Sequence, residues 1–238
     1  MKTDASYTSC DLQNQERFFL SSFLRYLPVI WVGLLLTKPV LAQRDTKAKE
    51  VLDNSLTMLN HSGGLSISFS FNMNDEIHHI KQSFEGQILL KGAKFFLDTP
   101  EQTVYFDGKT QWVYDKPIEE VSILEPQPQD IQTLNPIAIF ELYKLDCDYK
   151  YQGEKTDIQK RKVHEITLFP QDKKADIERV DVQINPTDWM PVFFHILYKN
   201  KAEYRIHINK YQTKQNFSDS QFVFDKKKYP QVEVNDLR

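Results

Sequence analysis

Leu65-Ser-Ile-Ser-Phe-Ser-Phe71, continued by Asn72 and Met73, alternates apolar and polar side chains without a break. Successive residues of a strand point to opposite faces, so Leu65, Ile67, Phe69, Phe71 and Met73 share one side and the serines the other. A sheet with one greasy face needs a cover. The residues just before it provide one. Over 44–60, Ala48, Val51, Leu52, Ser55, Leu56 and Leu59 recur at spacings of three and four, which predicts a helix with Asp45 as N-cap, ended by His61-Ser-Gly-Gly64.

Working outward, the period of two returns many times. Residues 80–90 carry Phe84, Ile88 and Leu90 on one side, with Gly86 a candidate bulge. Further strands are predicted at 94–98, 103–106, 110–114, 121–124, 163–169, 177–184, 192–198, 204–208 and 222–224, separated by Thr99-Pro100-Glu101, Asp107-Gly108 and Lys116-Pro117. Gln152 to Asp157 and Gln171 to Lys174 read as polar hairpin tips. About ten or eleven short strands joined by turns describe an antiparallel meander, not βαβ units. One interruption stands out. After a polar, proline-marked loop over 125–135, Asn135-Pro136 opens a short helix over 137–144. Eight residues do not hold a helix alone in water, so it must pack on the sheet.

Upstream of the domain, Leu27-Pro-Val-Ile-Trp-Val-Gly-Leu-Leu-Leu-Thr37 is an apolar core of signal-peptide length, preceded by Arg17 and Arg25 and followed by the small residues Val40 and Ala42. The alternative, an uncleaved anchor, needs about 20 apolar residues, more than Lys38-Pro39 allows. Residues 1–42 are therefore expected to be a signal peptide cleaved near Ala42, and 43–238 a single exported, periplasmic domain. The whole chain has a formal net charge of −3, and loss of the first 42 residues leaves it acidic, which argues against nucleic acid. Of the two cysteines, Cys10 departs with the leader, so Cys147 has no internal disulfide partner.

No catalytic constellation emerges. Asp75-Glu-Ile-His-His79 sits between two strands and reads as a solvated hairpin tip, since no complementary Cys or His motif is present downstream to complete a metal site. His164, His195 and His207 are scattered on strands. There is no nucleophile elbow, and the chain's seven glycines form no phosphate-cradling loop. Neither a metal nor a cofactor is expected. What remains is an excess of large apolar side chains on the strands. They either fill an ordinary core or line a space for a ligand.

Val104-Tyr-Phe-Asp-Gly-Lys-Thr-Gln-Trp-Val-Tyr-Asp115 resembles the Asp-Gly-Lys-x-x-Trp-x-Tyr hairpin of the LolA family of periplasmic lipoprotein carriers. Leu65–Phe71 is similar to that family's first strand and Phe84-Glu-Gly-Gln-Ile-Leu-Leu-Lys91 to its Gly-x-Leu-x-Lys strand. The segment 222–238 is similar to the closing stretch of a divergent branch. The resemblance implies an incomplete antiparallel barrel with helices as a lid over an apolar cavity. It also implies binding of acylated lipoproteins, delivery from an inner-membrane ATP-driven transporter towards an outer-membrane acceptor, and a monomer with no catalytic residue. Ile67, Phe69, Phe71, Phe84, Ile88, Leu90, Val104, Phe106, Trp112 and Tyr114 are the candidate lipid-binding residues, and Leu134, Ile137, Phe140 and Leu142 the candidate lid. One departure is evident: Gly92-Ala93 stands where the family places an Arg-Pro that bonds to the lid, so that latch is absent or built differently. The rival readings are a lipid or lipoprotein sensor on the same scaffold and, less in keeping with the residues, a hydrolase using Asp75, His78 or His79.

Overall fold

The computed structural model describes residues 45–126, 147–172 and 175–238. Asp45 is the N-cap of the first described helix. Its Oδ1 accepts from the amides of Lys47 at 2.9 Å and Ala48 at 3.1 Å, satisfying two of the orphan donors of helix α1 (Thr46–His61). Its Oδ2 accepts the amide of Tyr151 at 2.9 Å. One carboxylate thus starts the helix and pins it to a strand 106 residues away. Three amide donors hold this carboxyl below the usual carboxylate range, the Tyr151 bond contributing most. The buried stripe of α1 is Ala48, Val51, Leu52, Ser55, Leu56 and Leu59, as the spacing predicts.

Twelve strands follow among the described residues: β1 (Gly64–Asp75), β2 (Ile80–Lys91), β3 (Lys94–Asp98), β4 (Gln102–Phe106), β5 (Gln111–Asp115), β6 (Glu120–Leu124), β7 (Cys147–Thr156), β8 (Lys162–Pro170), β9 (Ile177–Ile184), β10 (Pro191–Tyr198), β11 (Glu203–Gln215) and β12 (Glu233–Asp236). They form one open sheet in the order β12-β6-β5-β4-β3-β2-β1-β11-β10-β9-β8-β7. The fold is mainly β and consistent with an incomplete barrel. β1 lies at the centre, paired along most of its length to β2 and β11. Consecutive strands β6 and β7 fall on opposite sides of the sheet. The expected lid helix, with Leu134, Ile137, Phe140 and Leu142, lies outside the described residues, as does the expected signal peptide.

Three expectations need correction. First, β7 is a ten-residue strand where a polar tip over 152–157 was expected; Cys147, Tyr149 and Tyr151 do alternate, but the polar run Gln152 to Thr156 masks the strand's second half. Second, Phe222 and Phe224 do not form a strand. Phe222 ends a 3-10 turn (Asp219–Phe222), and both rings are buried because they anchor a strap across the outer face of the sheet. The strap then delivers β12, which pairs with β6 in parallel, the one parallel pairing among the described strands.

Third, Gly86 is no bulge: the β1–β2 register runs unbroken through Phe69↔Gly86. The glycine is there for space. A Cβ at this position would lie 2.5 Å from Cζ of Phe69 and 2.9 Å from the carbonyl oxygen of Asp98. The Phe69 ring lies over the bare backbone, at a place where any other residue would collide. Gly86→Ala is therefore expected to destabilise by about 1–3 kcal/mol through overpacking, read as a lower urea midpoint; an unchanged midpoint refutes this packing account.

Candidate functional site

The two faces of the sheet differ in kind. Directly opposed residues of antiparallel strands share a face, so Ile67↔Ile88, Ile88↔Leu97 and Leu97↔Val104 carry one apolar row from β1 to β4. On the other side, Phe71↔Ile206, Ile206↔Phe194, Phe194↔Val182 and Val182↔Ile166 carry it to β8. This inner face and the buried stripe of α1 form one continuous hydrophobic cluster.

Eight of the candidate lipid-binding residues lie on it. Ile67, Phe69, Ile88, Leu90, Val104 and Phe106 are buried, and Phe71 and Phe84 are half-buried. Trp112 and Tyr114 do not. The register Val104↔Val113 and Tyr105↔Trp112 places Val113 inside and turns Trp112 and Tyr114 to the outer face. There they meet the C-terminal strap: Tyr114 packs on Phe224 at 6.0 Å and Tyr229 at 4.8 Å between ring centroids, in a separate cluster with Val121 and Val232. Apolar outward positions in β5 looked like inner ones because the outer face here is covered too. Sequence reasoning also left out the inner face of β8 to β11. Val180, Val182 and Ile184 alternate with Arg179, Asp181 and Gln183 as plainly as β1 does, so the signal was present.

The inner face grades from sealed to open. Beneath α1 it is fully buried, with Val51, Leu52 and Ile88 at 0 % exposure. Towards the β1–β2 hairpin end it becomes a half-buried aromatic group: Phe71 stacks on Phe84 at 4.8 Å, meets Tyr204 edge-on at 5.3 Å, and Tyr204 packs on Tyr198 at 4.7 Å. Burial pushes the Tyr198 hydroxyl up to about 12, so it stays neutral.

The histidines divide between the faces. His164 is buried on the inner face, bonded through Nδ1 to the Tyr151 hydroxyl at 2.8 Å and stacked on Trp189 at 5.6 Å. Burial lowers its pKa, and Lys47 of α1 adds to this against the opposing pull of Glu154 and Glu50. A histidine kept neutral by folding binds fewer protons than the unfolded chain's, so its contribution is whole above the ordinary value of 6.5 and declines as pH falls through it towards the lowered folded value. Urea midpoints should accordingly fall on acidification from pH 6.5, and His164→Gln should remove that component of the slope; an unaltered slope in the variant refutes the assignment. His195 and His207 lie on the outer face, His195 between Asp181 at 3.3 Å and Glu203 at 3.6 Å.

Asp75 shapes the β1–β2 tip. It accepts from the amides of Ile77 and His78, each at 3.0 Å, and its other oxygen meets His78 Nδ1 at 2.8 Å, while His79 adopts φ 54° to close the turn. Among the described residues no group of three potential ligands comes together to hold a metal ion. Cys147 is buried on the inner face. No helix among the described residues is long and apolar enough to cross a membrane.

At Gly92-Ala93 the lid side of the expected latch lies outside the described residues, and the turn makes a polar tie to a different element. Gly92 takes φ +58°, the left-handed conformation that suits a tight β2–β3 turn. The flanking lysines close on Asp219 of the strap: Lys91 Nζ lies 2.9 Å from Oδ1 and Lys94 Nζ 2.9 Å from Oδ2, and Lys91 also donates to the carbonyl of Phe217 at 2.7 Å. The paired lysines bring the Asp219 carboxyl down to about 2. This contact ties the turn to the C-terminal strap.

A conserved protein without assigned function from Thermus thermophilus has the same fold, with a TM-score of 0.55 at 12% identity, covering 80% of this chain and 99% of that one. A LolA superfamily protein from Nitrosomonas europaea is similar at a TM-score of 0.40 and 12% identity, over 75% of this chain and 98% of that one. No curated protein matches the sequence. Residues 38–199 match the family model described as outer membrane lipoprotein carrier protein LolA, and the chain, with its open sheet and apolar inner face, belongs to that family.

Proposed function

We propose that the protein is a periplasmic carrier that buries the acyl chains of lipoproteins on its inner face and moves them from the inner to the outer membrane. The observation that carries this reading is the continuous apolar inner face, sealed under α1 and aromatic at its half-open end. Family membership supports it. The physics of the cargo supports it too. An acyl chain of about 16 carbons forfeits on the order of 12 kcal/mol when exposed to water, at roughly 0.8 per methylene. Such a molecule crosses an aqueous compartment only in company. In this reading an inner-membrane ATP-driven transporter hands over the cargo, an outer-membrane acceptor takes it, and the carrier works as a monomer without catalysis.

Depletion of the protein is expected to leave lipoproteins at the inner membrane, and mass spectrometry of the purified protein to find acylated cargo. Normal sorting after depletion in a strain with no paralogue overturns the proposal.

A further inference from the structure

The outer face of the sheet, where it crosses β9 to β11, holds a hollow of about 120 Å³. Gln183, Phe193 and His207 of the strands line it, and so do Asp157, Ile158 and Arg161 of the β7–β8 turn. Strand irregularities open it. The β9–β10 register shifts between Pro191 and Phe193, the β1–β11 register shifts between Ile208 and Lys210, and the β10–β11 pairing begins only at Phe193↔His207. Bulges of this kind bend a strand and re-aim its side chains.

The turn over the hollow is fixed from within. The Asp157 side chain, 4 % exposed, accepts from the amides of Gln159 at 2.9 Å and Arg161 at 2.8 Å, and from Arg161 Nε at 2.7 Å. A preformed turn costs a ligand little ordering. On it Ile158 is held out at 80 % exposure, the highest value among the exposed large apolar residues described. Lys155, Lys160, Arg161 and Lys162 are exposed around it, a basic tip on a chain whose net charge is −3. Beneath the turn, the His207 ring lies 4.4 Å from that of Phe193 and bonds to no described side chain. Burial and the nearby Arg205 lower its pKa against the pull of Asp157, and a neutral imidazole offers one donor and one acceptor.

We propose that this hollow is a docking site for an acidic segment of a partner protein that anchors a tyrosine in it. The ring packs between Ile158 and Phe193, its hydroxyl meets His207, and the flanking carboxylates meet the basic tip. Size fits: a cavity of about 150 Å³ is the scale at which benzene is bound. Aromatic anchors in well-packed pockets carry much of the energy of protein interfaces, and complementary charge steers the encounter. The site lies on the face opposite the apolar inner one, so the inference goes beyond the carrier reading and does not depend on it.

The test titrates two acetylated pentapeptides, Glu-Glu-Tyr-Glu-Glu and Glu-Glu-Ala-Glu-Glu, into the purified protein and maps the amide shifts. The tyrosine peptide should bind about tenfold more tightly than the alanine peptide, with shifts at Ile158, Phe193 and His207 and an affinity that falls as salt is added. Ile158→Ser, an exposed change that leaves folding intact, should weaken the tyrosine peptide about fivefold. Equal binding of the two peptides overturns the proposal, as does wild-type affinity in Ile158→Ser or a set of shifts confined to the inner face at Phe71 and Tyr204. Binding of phosphatidylglycerol vesicles that is lost in Ile158→Ser, with no response to either peptide, would make the tip a membrane contact and overturn it too.

Discussion

Phe224→Ala is expected to lower the free energy of unfolding by about 3–5 kcal/mol, the usual range for emptying a buried phenylalanine site. Phe224 is 9 % exposed and stands at the centre of the outer cluster. Its ring stacks on Tyr229 at 5.3 Å, with an interplanar angle of 15°, and meets Tyr105 at 5.8 Å and Tyr114 at 6.0 Å. Removing it empties that centre and releases the C-terminal end of the chain. β12 buries nothing of its own, since all four of its residues are exposed, so its pairing with β6 depends on the anchors upstream. Aromatic surface on β4 and β5, Trp112 included, would then face water. Urea denaturation followed by tryptophan fluorescence measures the loss. A change under about 1 kcal/mol would show that the strap is not part of the cooperative unit. Val234→Ser, at a 45 % exposed position of the same strap, should stay within about 0.5 kcal/mol.

The second large effect is on binding. Phe71→Glu should reduce affinity for a diacylated peptide at least about tenfold, or 1.4 kcal/mol, with the fold retained. Phe71 is half-buried in the aromatic group with Phe84 and Tyr204. A glutamate there can keep its carboxylate in water while the site is empty. Once an acyl chain lies across the group, that charge must lose solvent without a partner, which is expensive. Phe193→Glu is the control, because Phe193 lies on the outer face, packed on His207 at 4.4 Å. Equal loss in both variants would show that binding does not use the inner face, and no loss in Phe71→Glu would exclude this end of it.

The contrast between Phe71 and Trp112 shows what could be read from the chain. In β1 the alternation is between phenylalanine and serine, so the dry face names itself. In β4 and β5 both faces are apolar: Val104 and Phe106 alternate with Tyr105, and Val113 with Trp112 and Tyr114. Periodicity then shows which residues share a face and not which face is inside. The hairpin register decides that, by setting Val104 against Val113. A segment more than a hundred residues later, the strap, makes the second apolar face permissible.

β12 marks the other limit. Glu233-Val-Asn-Asp236 has low strand propensity and no apolar alternation, and it is a strand because the anchored strap lays it beside β6. Gly86 looked like a bulge because a lone glycine within a strand often is one; a ring from the neighbouring strand required it instead. Such causes act across pairing partners, where local pattern is silent.

Local chemistry in the chain was sufficient to specify helix α1 with its Asp45 cap, the alternation of most strands, the turns between them and the meander they compose. These arise from periods of 3.6 and two and from residues that start or stop them. Tertiary structure alone decided the joining of β11 to β1, the outward turn of Trp112 and Tyr114, and the tie of Lys91 and Lys94 to Asp219. The physical reason is range. A side chain's direction along its own strand is set by its immediate neighbours, whereas its burial and bonding depend on which distant segment arrives to cover it.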